Sequence, residues 1–354
     1  MIRRYAVAFC VATALAPNAQ AQEIETTTYS DAGYASETAA YGADYAGPED
    51  TADGYAQSSY DTVSYEKRGF LGREILGHGR LTSNDLLGDG KDRWQTGSVS
   101  TSRVVGRSGW TGVLPEKPFD IIEYRLAAQV MAPQNMRNPE QGDRPWGGAV
   151  TFGVHTHFMR GPVELSMGGD LVITGPQTGL GSLQTAIHDV LGQDPASISV
   201  LSDQIENDFH PTLVLEAANS ISVGGQAVLR PFAEARAGVE TMVRVGADLT
   251  IGTVGRGELL IRDAVTGQRY RSISAPLTGF SYVVGGDMAY VDSSAYLPED
   301  RGYELSGSRN RMRAGVHWQG ERSAAFYGLT YLSKEFEAQD TGQTVGSVRL
   351  DFKF

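Results

Sequence analysis

The chain has 354 residues, a formal charge of −12, 43 glycines, 14 prolines and a single cysteine. Its acidic balance offers no basic stripe for a nucleic-acid partner. Cys10 lies in the N-terminal apolar run, so a chain cleaved after Ala21 has no thiol, which excludes disulfides, a CxxC zinc site and a cysteine nucleophile.

Residues 1–21 read as a secretory signal peptide. Arg3 and Arg4 precede the apolar run 5–16, and Ala19 and Ala21 supply the small residues of a cleavage site. Lipidation of Cys10 is the lesser alternative. Residues 22–75 form a low-complexity tail in which tyrosines stud an Ala/Asp/Ser/Gly background, and residues 22–69 hold ten carboxylates against Lys67 and Arg68. A segment with almost no Leu, Ile or Phe cannot bury a core. It is expected to be an acidic linker, or else a tyrosine-rich peptide that binds a partner.

From residue 76 to 354 the pattern becomes that of strands. Val348, Leu350, Phe352 and Phe354 alternate with Arg349, Asp351 and Lys353, and residues 163–173 alternate in the same way. Twelve strands are predicted, over 76–86, 93–104, 118–131, 145–158, 161–174, 207–219, 226–238, 240–251, 279–292, 310–320, 322–333 and 345–354. An even number of antiparallel strands closes without a free edge, as lipid requires. A soluble sandwich alternates similarly. The signal peptide, the lack of cysteine and the terminal aromatic favour an all-β, twelve-stranded antiparallel transmembrane β-barrel in the outer membrane of a Gram-negative bacterium. A final strand ending in Phe354 resembles the outer-membrane assembly signature. Trp146, Phe158, Trp318, Tyr327 and Tyr331 are candidates for interfacial girdles. Arg309, Arg311 and Arg313 share a strand face. They are expected to line a polar lumen and pair with carboxylates such as Asp170. His155 and His157 also share a face, but no third metal ligand is evident, so they read as lumen or rim residues.

The connection 175–206 is far longer than a hairpin needs, and long loops are usually functional or disordered. It holds the one clear helix, over 180–192. Leu180, Leu183, Ile187, Val190 and Leu191 recur at helical spacing, Ser182 is placed to cap the start and Gly192 to end it. His188 falls on the flank of the apolar stripe. Residues 203–207 (DQIEN) read as side chains tying this loop back to the sixth strand.

With both termini on the inner side, this topology brings Asn84, Asp85, Thr96, His188 and Asp194 to one end of the barrel. Such an oxygen-rich set suits Ca²⁺, and a neutral imidazole beside it can take a proton from water. Each residue also has a bland reading. His188 could be a polar flank of a loop helix, Asp85 a turn carboxylate and Thr96 an ordinary strand residue. There is no EF-hand loop, HExxH or GxSxG elbow.

Five segments carry a family resemblance: residues 83–85 (SND), 92–97 (DRWQTG), 142–144 (GDR), 184–188 (QTAIH, leading to Leu191 and Gly192) and 203–207. In this order and spacing the chain from about 76 to 354 resembles the outer-membrane lipid A 3'-O-deacylase family. The resemblance implies a twelve-stranded barrel that removes the acyloxyacyl group ester-linked at the 3' position of lipid A and needs calcium. It makes His188 the catalytic histidine and Asn84–Asp85 its catalytic pair, and it assigns Asp85, Thr96 and Asp194 to calcium. Asp194 stands where the family has a glutamate. The family's Lys-Arg pair is reduced to Met136 and Arg137, and Ala196 replaces a tyrosine. Arg137 and Arg144, in or near an outer loop, are the expected contacts to lipid phosphates. The expected partners are lipopolysaccharide and outer-membrane lipids, with the barrel a monomer. The alternatives are a phospholipase-type barrel with the same ester chemistry and a non-enzymatic barrel with a decayed site.

Overall fold

Strands that alternate apolar and polar residues have one face to keep from water, and a closed membrane barrel turns that face to lipid and the polar face to the lumen. The computed structural model describes residues 71–352, so the expected signal peptide, most of the tail and Phe354 lie outside the described residues. The strands are β1 (Glu74–Asn84), β2 (Trp94–Gly106), β3 (Ile121–Ala132), β4 (Gly147–Arg160), β5 (Val163–Thr174), β6 (Asp208–Ala218), β7 (Ile221–Gly224), β8 (Ala227–Ala237), β9 (Glu240–Ile251), β10 (Leu259–Arg262), β11 (Arg269–Ile273), β12 (Gly279–Ser294), β13 (Arg309–Gln319), β14 (Ser323–Leu332) and β15 (Gln343–Phe352).

Twelve of them form the barrel, in the order β1 to β6, then β8, β9 and β12 to β15. The last strand pairs back onto the first, with Thr82 opposite Val348 and Asn84 opposite Gly346. The β6–β8 pairing completes the wall. All twelve predicted strands are present, and the first begins two residues earlier than expected. β7 is a short extra strand paired to β8.

The outer wall is apolar. Phe152, Val154, Leu213, Val245, Tyr282, Val284 and Met312 are exposed, as lipid-facing side chains should be. Trp318, Tyr327 and Tyr331 are on this face as predicted, but Trp146 and Phe158 are buried, at 1% and 5% exposure. Trp146 precedes β4 and is claimed by the loop helix, as described below.

The interior is a lattice of ion pairs. Arg313 bonds Asp248 (2.7 Å), Arg311 bonds Asp287 (2.9 Å) and Arg309 bonds Glu240 (2.6 Å). The three arginines therefore line the lumen as expected. Their partners are not Asp170, whose Oδ1 is 2.7 Å from His155 Nε2. His157 Nε2 likewise lies 2.8 Å from Glu123, so both histidines have carboxylate partners.

The lumen also holds an element that the sequence reading missed. Strands β10 and β11 form an antiparallel hairpin inside the barrel. Its Leu259, Ile261, Tyr270 and Ile273 pack with Leu81, Val104 and Phe326 of the inner wall. It lies so close to β1 that a Cβ on Gly77 would stand 2.1 Å from the Ser272 carbonyl oxygen. A strand with both faces buried has no need to alternate, so the period-two signal is absent from this segment.

Candidate active site

The site sits at one end of the barrel, where the loops 85–93, 133–146 and 175–207 converge. β1 ends at Asn84, whose Oδ1 accepts from the Leu86 N–H at 2.8 Å and so caps the 3₁₀ turn Asp85–Leu87. With Oδ1 engaged, the Nδ2 amide remains as the end able to donate. The β1–β2 register ends at Asn84 opposite Gly97, so Asp85 leaves its strand level with Thr96.

Thr96 is the extra residue of a β-bulge, because the β2–β3 register jumps from Gln95–Met131 to Gly97–Val130. Bulges commonly re-aim side chains beside active sites. Asp92 and Trp94, on either side of Arg93, have left-handed backbone, with φ of 50° and 52°. That conformation is uncommon outside glycine and is costly for a bulky residue such as tryptophan. Arg93 stacks over the Trp94 ring at 3.9 Å.

Asp85 is fully buried. Its Oδ2 accepts from the Arg93 N–H at 2.6 Å, while its Oδ1 and the Thr96 hydroxyl, both buried, have no hydrogen-bond partner. Burial pushes the Asp85 carboxyl up to about 8, and the charge of Asp92 adds to the effect. Burial also raises Asp92, opposed by the imidazole of His188.

His188 comes from helix α1 (Leu180–Leu191), which is followed by α2 (Ile198–Ser202). Gly192, at φ 65°, ends α1 in left-handed backbone, as its sequence position predicts. The start is capped differently: Gly179 holds the N-cap with no side-chain bond, and Ser182 does not serve. The buried ridge is Leu180, Gln184 and His188, whereas Val190 is 66% exposed. The helix therefore turns a polar edge of its apolar stripe inward, carrying His188 to 4% exposure. Leu180 joins Ala132, Trp146 and Val200 in an apolar cluster, and Trp146 Nε1 donates to Gln184 Oε1 at 2.7 Å.

The two imidazole nitrogens of His188 face different groups. Nδ1 lies 2.9 Å from the Asp194 main-chain oxygen. Nε2 lies 3.5 Å from Asp92 Oδ2. A carbonyl can only accept, so Nδ1 carries a proton, and in the neutral imidazole Nε2 holds the lone pair of a base.

The structure thus brings Asn84, Asp85, Thr96 and His188 together and adds Asp92. It places the other predicted residues differently. The Asp194 carboxylate is paired with Arg137 on the exposed rim, with side-chain exposures of 74% and 65%. Arg144 is 1% exposed and its guanidinium is held by Glu335, so it braces two loops and does not face solvent. Residues 203–207 tie the long loop down, but not to the sixth strand: Asp203 pairs with Arg301, Ile205 N–H donates to the Trp146 carbonyl, and Asn207 Oδ1 accepts from the Gln177 N–H within the loop. Among the described residues, no three His, Cys, Asp or Glu side chains gather as a metal cage. A cleft of about 520 Å³ opens beside the site, lined by Lys91, Asp92, Trp94, Met136, Arg137 and Asp194 among others. Asp92 falls within a segment that carries the family resemblance, but only the folded loop shows that it faces His188.

The sequence profile of a family described as "Outer membrane protein LpxR" matches residues 69–354. Among solved structures, LpxR from Salmonella typhimurium superposes with a TM-score of 0.65 at 18% identity, covering 78% of this chain and 100% of that one. The NanC porin matches at a TM-score of 0.36 and 6% identity, over 78% of this chain and 100% of its own. The KdgM porin matches at 0.33 and 6%, over 79% and 98%. A comparison with curated protein sequences gives no match.

Proposed function

Because the chain belongs to the LpxR family of outer-membrane proteins, we propose that it is a calcium-dependent hydrolase of the acyloxyacyl ester at the 3' position of lipid A. The observation that carries this reading is the buried His188 imidazole. Its Nδ1 is fixed by the Asp194 carbonyl and its Nε2 is directed at the loop that holds Asp85 and Asp92.

The residues present fit a hard cation. Asp85 Oδ1 and Thr96 Oγ1 are buried oxygens without partners, and oxygen donors of this kind are what Ca²⁺ prefers. When bound, calcium supplies positive charge beside the scissile carbonyl. His188 Nε2 takes a proton from water, and the water oxygen attacks the ester carbonyl carbon. Asn84 Nδ2 donates to the carbonyl oxygen as negative charge develops on it. As the ester C–O bond breaks, His188 returns the proton to the departing 3' oxygen. The products are lipid A with a free 3' hydroxyl and the released acyloxyacyl acid. No serine nucleophile and no acyl-enzyme take part. Arg137, paired with Asp194 on the exposed cleft rim, is the cation a lipid phosphate can reach; Arg144 is buried against Glu335.

The hairpin β10–β11 fills part of the lumen, which speaks against a pore. The test is to incubate the folded barrel with lipid A, with calcium or with a chelator, and to locate the lost acyl group by tandem mass spectrometry. Loss from the 3' position only with calcium supports the reading. Cleavage of glycerophospholipid in place of lipid A would select the phospholipase alternative.

A further inference from the structure

The donor set that the family resemblance implies does not assemble in this chain. Asp194 is one methylene shorter than the glutamate it replaces. Its carboxylate lies on the rim paired with Arg137, and its main-chain oxygen is committed to His188. The two partnerless buried oxygens, Asp85 Oδ1 and Thr96 Oγ1, are in the turn after β1 and on β2. A second carboxylate on the same β1–β2 connection is that of Asp92. It interacts electrostatically with Asp85 and lies 3.5 Å from His188 Nε2, and the left-handed backbone at residues 92 and 94 holds its loop in that position.

We propose that Asp92 supplies the second carboxylate of the cation site, with Asp85 and Thr96, and that Asp194 acts only as the main-chain acceptor that orients His188. This rests on the calcium-dependent reading above and changes its ligand set. Two carboxylates and a hydroxyl on one hairpin make the site a feature of the β1–β2 connection. The loop helix then brings the base alone, and the Asp-for-Glu difference at 194 loses its importance for the metal.

The test is calcium titration of the full-length folded barrel in detergent by calorimetry, with terbium luminescence sensitised by nearby tryptophan as a second readout. Asp92→Asn should lose at least about tenfold in calcium affinity, since affinity at such sites follows ligand charge. Asp194→Asn should bind within about twofold of the parent, because its side chain is not a ligand. Thermal unfolding followed by circular dichroism checks that each variant is folded, and Asp92→Glu should restore part of the affinity. The reverse pattern, with Asp194→Asn weakened and Asp92→Asn unchanged, overturns the proposal. So does an Asp92→Asn variant that binds calcium normally and shifts only the pH profile of hydrolysis, because the carboxylate would then serve His188 alone. A parent protein that binds no calcium yet deacylates lipid A in chelator also overturns it while sparing the hydrolase reading. Calcium binding that follows Asp92 in a protein inert toward lipid A would leave the ligand assignment standing and remove the hydrolase reading.

Discussion

The imidazole of His188 donates through Nδ1 to the main-chain carbonyl of Asp194, 2.9 Å away and six residues further along the chain. This bond spans the end of α1, where Gly192 turns the backbone back. It sets the tautomer of His188 without using a side chain. The consequence is that residue 194 can vary in side chain while the base remains oriented.

Asn84 has two separable tasks. Its Oδ1 caps the turn, and its Nδ2 is the proposed oxyanion donor. Asn84→Asp keeps the capping oxygen and loses the donor, so it should fold with near-parental thermal stability. Its kcat should fall by about 10²–10³, the usual cost of one oxyanion donor. Asn84→Ala should lose activity to a similar degree and also lose about 1 kcal/mol of stability with the cap.

Asp85 predicts a pH signature. Its folded carboxyl titrates near 8, above its value of 3.8 in an unfolded chain. The folded protein therefore binds more protons between those values, and stability contributed by protonated Asp85 is lost as pH rises through about 8. In chelator, the melting temperature of the parent should fall over this window more steeply than that of Asp85→Asn. Added calcium should reverse the fall for the parent only. Parallel curves for the two proteins would contradict this.

Two arginine pairs at the same end should behave oppositely. Arg137 and Asp194 are both exposed, so Arg137→Ala should cost no more than about 1 kcal/mol of stability and act mainly by raising KM for lipid A. Arg144 is buried against Glu335. Glu335→Ala leaves that guanidinium without its carboxylate and should destabilise by about 3–5 kcal/mol. Thermal unfolding of the two variants checks the contrast.

The lumen hairpin predicts intolerance at Gly77. A Cβ there meets the Ser272 carbonyl at 2.1 Å, so even Gly77→Ala should cost about 1–3 kcal/mol through overpacking. A variant as stable as the parent would show that the hairpin is free to move away.

The sequence made the barrel wall legible because each wall strand must alternate. Residues 163–173 and 345–354 carry that pattern openly, and β5 and β15 are where it placed them. It could not reveal β10 and β11, which pack on both faces and look like a long turn. Nor could it orient α1, because the inward ridge takes Leu180 from the apolar stripe together with the polar Gln184 and His188, while Val190 of the same stripe is exposed. His188, Asn84, Asp85 and Thr96 were legible as a group because strand ends and loop order fix which end of a barrel they reach. Arg144 and Asp194 lie in the expected loops, but their side-chain partners are hidden from sequence, because ion pairs across loops, Arg144 with Glu335 and Arg137 with Asp194, leave no mark in spacing. Asp92 was missed for a related reason, since its position depends on a left-handed loop conformation.

The central claim is that His188 activates water for ester hydrolysis. The most direct test is the mass spectrum of lipid A after incubation with calcium and either the parent barrel or a folded His188→Ala variant. The account predicts loss of one acyloxyacyl unit with the parent, and a rate at least about 10²-fold lower for the variant, the scale of a missing general base. Equal deacylation by both proteins, or unchanged lipid A with the folded parent, would contradict it.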